Sequence, residues 1–159
     1  MADRIKVVYD TGVVLQATLH PAGPAGQTLR LLEQEGIEGF ISGRIREEYA
    51  EVLSRPDIRT KNPYLTDDQA QAVLVWLDER MTLITQPTRV IEYPRDPKDE
   101  PIVNLALTIR ADCIVTRDQD LFDLGRSRQF RLLFPYIQVL DPVAFVQKIE
   151  DLQRSETQE

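Results

Sequence analysis

Between Asp96 and Phe122 the chain reads DPKDEPIVNLALTIRADCIVTRDQDLF, and this stretch leaves few folds open. Acids lead into an apolar run of helical length, Ala111-Asp112 makes a turn, and Cys113-Ile-Val-Thr116 reads as a short buried strand. Asp118 and Asp120 lie just past that strand's end. A helix leading directly into a strand that runs back beside it returns the chain to where the helix began. Asp99, at the head of the helix, is therefore expected close to Asp118, at the exit of the strand. Carboxylates gathered on one edge, with no histidine or cysteine beside them, have the chemistry of a site for a hard divalent cation such as Mg²⁺ or Mn²⁺.

The rest of the chain reads as alternating strands and helices. Ile5-Lys-Val-Val-Tyr9 is a buried strand followed by a turn at Asp10-Thr-Gly12, and Val13 to Leu19 starts a helix broken by the loop at 21–26. Gln27 to Glu35 is a second helix that Gly36 ends, and Gly39-Phe-Ile41 is the core of a second strand. Ser42 is placed to cap a helix running to about Leu53. Its inward positions are Ile45, Tyr49, Val52 and Leu53, with Glu48 on the border of that stripe. Arg55-Pro56 stops it, and a loop is expected to run to Leu65. Thr66-Asp-Asp-Gln69 has the form of a capping box, and the helix it starts buries Ala70, Val73, Leu74 and Leu77. Leu83-Ile84 and Val90-Ile91 flank a proline-containing loop. Ile137 to Leu140 is a last strand, and Asp141-Pro142 opens a helix through Phe145, Ile149 and Leu152. This pattern predicts one α/β domain over 1–152, a mainly parallel sheet with its site at the carboxyl ends of the strands, and a disordered tail over 153–159. Strand order is not contained in it.

Composition narrows the chemistry. With 26 acids against 19 bases, the formal net charge of −7 argues against nucleic-acid binding through one broad basic face, though not against an enzyme whose acids are neutralised by metal. One histidine, His20 in a Pro/Gly-rich loop, and one cysteine cannot build the usual zinc site or a convincing serine triad. Cys113 reads as a buried, inert thiol. No apolar run approaches the ~20 residues of a membrane span and the N-terminus lacks a secretory pattern, so a cytoplasmic protein is expected.

Each acid has an ordinary explanation when taken singly: Asp99 as a helix cap, Asp10 as a turn residue, Asp118 and Asp120 as loop acids, Glu48 as a partner of Arg44 or Arg95. The coincidence lies in the set. Converging carboxylates repel and raise one another's pKa, and a divalent ion removes that cost.

In VVYDTGVV around Asp10, SGRIREEYAEVLSRP with Glu48, RDPKDEPIVNLAL with Asp99 and IVTRDQDLF with Asp118, taken in order, the chain resembles the PIN domain family. It is most similar to the toxin components of toxin–antitoxin systems within that family, over Ile5 to about Phe145. The resemblance implies a three-layer α/β/α sandwich and a metal-dependent endoribonuclease acting on RNA, with an antitoxin protein as partner, no membrane association and a homodimeric state. It implies that Asp10, Asp99 and Asp118 hold one or two Mg²⁺ or Mn²⁺ ions and that Glu48 completes the shell or orients the attacking water. Asp96 and Asp120 would be auxiliary, Thr116 would support the Asp10 carboxylate, and Arg44, Arg46, Lys98 and Arg117 would meet RNA phosphates. One departure stands out: the family usually carries Asn where this chain has Gly12. That substitution keeps open a catalytically degenerate PIN-fold module that binds RNA or protein. A haloacid-dehalogenase phosphatase, loosely suggested by YDTGV, fails because Gly12 occupies the place of its second acid.

Overall fold

The computed structural model describes residues 4–91 and 97–158. Its centre is β1 (Ile5–Tyr9), whose Val7, Val8 and Tyr9 are fully buried. β1 pairs in parallel with β2 (Ile37–Ser42) on one side and with β4 (Cys113–Val115) on the other. β3 (Met81–Ile84) extends the sheet beyond β2, and β5 (Gln138–Leu140) extends it beyond β4. The order is β3-β2-β1-β4-β5, all parallel. The chain thus moves outward from β1 through β2 and β3, then returns to build the other half, and the reversal falls between β1 and β4. Crevices at such a switch point, beyond the carboxyl ends of the strands, are where open α/β sheets place their ligands.

Helices cover both faces. Thr11–Leu19 (α1), Pro24–Arg30 (α2), Gly43–Leu53 (α3), Pro56–Lys61 (α4) and Asp67–Arg80 (α5) connect β1 to β3. Glu100–Ile109 (α6) precedes β4, while Gln119–Arg126 (α7) and Arg128–Leu133 (α8) lie between β4 and β5. Pro142–Thr157 (α9) closes the chain and packs on α2. With helices on both faces of the sheet, the architecture is the three-layer α/β/α sandwich.

Several local expectations change. The Asp10 turn is the cap of α1, which starts immediately at Thr11. The second helix begins earlier, with Pro24 in its first turn, and a 3₁₀ turn over Leu31–Glu33 ends it. The expected loop after Pro56 contains α4, again opened by proline in its first turn. Leu83-Ile84 belongs to the edge strand β3, which a four-residue run with two exposed positions signals only weakly. α9 continues to Thr157, past the Leu152 boundary; residues 153–157 are exposed, and bonds such as Thr157 Oγ1 to the Gln153 carbonyl (2.6 Å) join successive turns.

α6 positions the site. Seven of its residues are buried, from Ile102 through Ile109, so the helix cannot shift without exposing core. It ends at Arg110, whose φ of 55° places it in the left-handed region, and Asp112 then ties the turn to β1. Lys6 N donates to Asp112 Oδ2 (2.9 Å) and Asp112 N donates to the Lys6 carbonyl (2.9 Å). The ten residues of α6 span about 15 Å, and the three of β4 with the two that lead from it to Asp118 span about 17 Å when extended. Asp99 therefore returns to the level of Asp118.

Candidate metal centre at the sheet's carboxyl edge

Asp99, Asp118 and Asp120 each offer a carboxylate oxygen, and the three oxygens lie within 4.8 Å of one another. Asp99 is 5 % exposed and its side chain makes no capping bond to α6, so capping does not account for its position. Asp118 does cap α7: its Oδ1 accepts from Asp120 N at 2.8 Å. That bond also carries Asp120 into the group. Sequence reasoning gives Asp120 an auxiliary place and puts Asp10 with Asp99 and Asp118; in the fold Asp120 joins the close trio and Asp10 stands beside it.

Asp10 is linked to the trio through a fully buried hydroxyl. Thr116 Oγ1 donates to Asp10 Oδ2 (2.7 Å) and accepts from Asp118 N (2.9 Å). Asp10 Oδ1 accepts from Thr11 N (2.8 Å), and Asp10 N donates to the Val115 carbonyl across the β1–β4 pair (2.9 Å). Tyr49, fully buried on α3, donates its hydroxyl to the Tyr9 carbonyl just before Asp10.

Glu48 sits half-buried one residue before Tyr49. Burial pushes its carboxyl above the usual range and the Asp10 charge adds to this, while Thr11, Arg44 and Arg55 draw it back. The Thr11 hydroxyl is buried, makes no full hydrogen bond among the described residues, and bears on Glu48 at longer range. Sequence reasoning does not single out Thr11 or Tyr49; their positions, one residue from Asp10 and one from Glu48, are the available signal.

The donor set fits a hard divalent cation. Ligands at about 2.1 Å from an octahedral ion are separated by roughly 3 to 4 Å, within reach of three oxygens so grouped. All three are carboxylates, the preferred ligands of Mg²⁺ and Mn²⁺. Carboxylates this close repel one another, and a divalent ion among them would offset that repulsion.

A PIN domain family model matches residues 6–120, which includes all of these carboxylates. The chain belongs to the PIN domain family. An uncharacterized protein of Methanocaldococcus jannaschii is 27 % identical to this PIN domain protein over 148 residues, covering 92 % of this chain and 93 % of the relative. The fold resembles a chain in the crystal structure of VapBC2 from Rickettsia felis bound to a DNA fragment from their promoter. The TM-score is 0.58 at 15 % identity, over 86 % of this chain and 98 % of that one.

The remaining expected positions of the PIN domain divide. The Arg46 guanidinium grips Asp78 of α5 through Nε and Nη2, each at 2.8 Å. Arg44, Lys98 and Arg117 are exposed. Asp96, and Arg95 as a partner for Glu48, lie outside the described residues. Gly12 sits exposed in the first turn of α1, and a Cβ there would meet nothing within 4 Å. An Asn side chain would fit.

No helix among the described residues is long and apolar enough to cross a membrane.

Proposed function

We propose that this PIN domain is a metal-dependent endoribonuclease, the toxin of a type II toxin–antitoxin pair, working in the cytoplasm as a homodimer on RNA. The observation that carries the reading is the meeting of Asp99, Asp118 and Asp120 within 4.8 Å at the switch point, beside Asp10 and Glu48. Family membership supports nuclease chemistry, and the VapBC2 likeness supports an antitoxin partner.

Asp99, Asp118 and Asp120 would hold the ion, with Asp10 completing its surroundings and Thr116 fixing the Asp10 carboxylate. A divalent cation bound there supplies Lewis-acid activation of water and charge stabilisation at a phosphodiester. Glu48 orients the attacking water; its raised pKa suits a carboxylate that takes up a proton as the bond to phosphorus forms. The products of this in-line displacement carry a 5′-phosphate and a 3′-hydroxyl.

The second reading, a degenerate binding module, is favoured by Gly12 and by the formal net charge of −7. Purified protein incubated with single-stranded and structured RNAs under Mn²⁺, Mg²⁺ or EDTA, beside Asp118→Asn, separates the two. Metal-dependent cutting that the variant loses supports the nuclease. A folded protein that binds metal and cuts no RNA supports the module.

A further inference from the structure

Away from the carboxylates, a run of arginines and aromatic rings lies along residues 124–140, LGRSRQFRLLFPYIQVL. It holds three arginines between the flanking acids Asp123 and Asp141, in a chain of formal net charge −7. Arg46, Arg55, Arg59 and Arg80 are each tied to a carboxylate. Arg126, Arg128 and Arg131 are exposed and have no such partner among the described residues. With Phe122, Phe134, Gln138 and one acid, Asp141 at the end of β5, they line an open groove of about 980 Å³ between α7, α8 and the edge strand β5.

The groove is built into the fold. A Cβ on Gly125 would stand 2.7 Å from Val139 Cγ2, so glycine is what lets α7 lie against β5. Phe122 is one helical turn, about 6 Å of rise, past Asp118. The opposite wall ends at Leu140, whose carbonyl accepts from Thr116 N at 2.9 Å. The groove therefore opens onto the same edge of the sheet as the carboxylates.

Resting on the nuclease reading above, we infer that this groove is the track that holds single-stranded RNA leading to the carboxylates. Three arginines in a net-acidic protein provide local charge complementarity to a polyanion. The half-buried rings of Phe122 and Phe134 are stacking platforms for unpaired bases, and Arg126 already lies over the Phe122 ring at 5.9 Å. A duplex keeps its bases stacked inside and offers such rings nothing. An acidic protein segment would satisfy the arginines, but it would have no need of a groove that opens on the edge of the sheet where the carboxylates stand.

The test compares wild type with Arg126→Gln/Arg128→Gln/Arg131→Gln on a labelled single-stranded RNA. Binding is followed by anisotropy in EDTA across a salt series, and cleavage is followed in Mn²⁺. These are exposed positions, so the variant melts with wild type. Its slope of log K against log salt falls by about 2, near 0.7 for each phosphate no longer neutralised. KM rises about tenfold or more while kcat stays within about twofold. Phe122→Leu weakens binding about fivefold or more with the salt slope unchanged. Wild-type binding and slope in the triple variant overturn the track; if that variant also loses affinity for poly-glutamate, the groove belongs to an acidic protein segment. A wild type that binds RNA through these arginines yet never cuts overturns the nuclease reading and leaves the track standing. A wild type that binds no RNA overturns both.

Discussion

Thr116 donates its hydroxyl to the carboxylate of Asp10 at 2.7 Å, joining the ends of the two central strands across 106 residues of sequence. The same oxygen accepts from Asp118 N, so one buried side chain sets the positions of two acids on different elements. Outer partners of this kind orient metal ligands and are felt in metal affinity nearly as strongly as the ligands.

Thr116→Val keeps the shape and removes both bonds. The expected result is a folded protein destabilised by about 1–3 kcal/mol, with Mn²⁺ affinity and RNA cleavage down about 10–100-fold. Chemical denaturation, Mn²⁺ titration calorimetry and initial rates check the three parts. Unchanged Mn²⁺ affinity would separate Asp10 from the metal.

Asp118→Asn isolates charge from structure. Asn caps helices as well as Asp does, so the α7 cap survives and the metal-free variant melts no lower than wild type. Wild type should gain about 2.7 kcal/mol at a metal concentration 100-fold above Kd, and the variant should lose most of that gain. Thermal unfolding with and without Mg²⁺ reads this directly. Equal metal stabilisation in both proteins would remove Asp118 from the ligand set.

Glu48 gives a pH dependence of definite sign. Its folded pKa is raised, so folding favours the protonated form, and its contribution to stability is greatest at low pH and lost as pH rises through the folded value. Glu48→Gln is therefore expected to raise the melting temperature at pH 7 and to gain little at pH 4. Glu48 is only partly buried, which keeps the effect small. Activity should fall in the same variant, and a lower melting temperature at pH 7 would contradict the electrostatic account.

Gly12 can be repaired. Gly12→Ala and Gly12→Asn both place a side chain in open space within α1. Ala should stabilise by about 0.5–1 kcal/mol through the unfolded chain and the helix. If Asn raises metal affinity or rate and Ala does not, the gain belongs to the amide rather than to the helix.

Cys113 should be silent. It is fully buried in β4, and burial pushes its thiol up to about 12. A disulfide-exchange reagent at pH 8 should label it only as fast as the protein unfolds. Immediate labelling of native protein would show that β4 is open.

The pattern of the chain makes several of these features legible. β-branched runs at Ile5 to Tyr9 and Cys113 to Thr116, and the cap at Ser42 with its stripe of Ile45, Tyr49, Val52 and Leu53, are local signals, and all appear in the fold. Two short elements, β3 and α4, are not legible. β3 has two exposed residues in four and α4 buries none, so neither carries the periodicity from which an element is read. The arginines of α7 and α8 carry no signal in the sequence, because a charge run reads as a solvated surface until a groove gathers it.

The sequence by itself determined that acids would stand after strands, that α6 and β4 would bring Asp99 back to Asp118, and that carboxylates would be the side chains available to a metal. These depend on rise per residue, on hydrophobic period and on the scarcity of histidine and cysteine, all of which are read along the chain. Only the tertiary structure decided that β4 pairs with β1, placing Thr116 against Asp10 and putting the switch point between them. It also decided that Asp120 joins the trio, that Asp78 captures Arg46, and that α7 closes on β5 at Gly125. Each is a meeting of elements distant in sequence or a matter of side-chain direction at a helix start. Packing of the whole sheet sets them, and local propensity does not encode them.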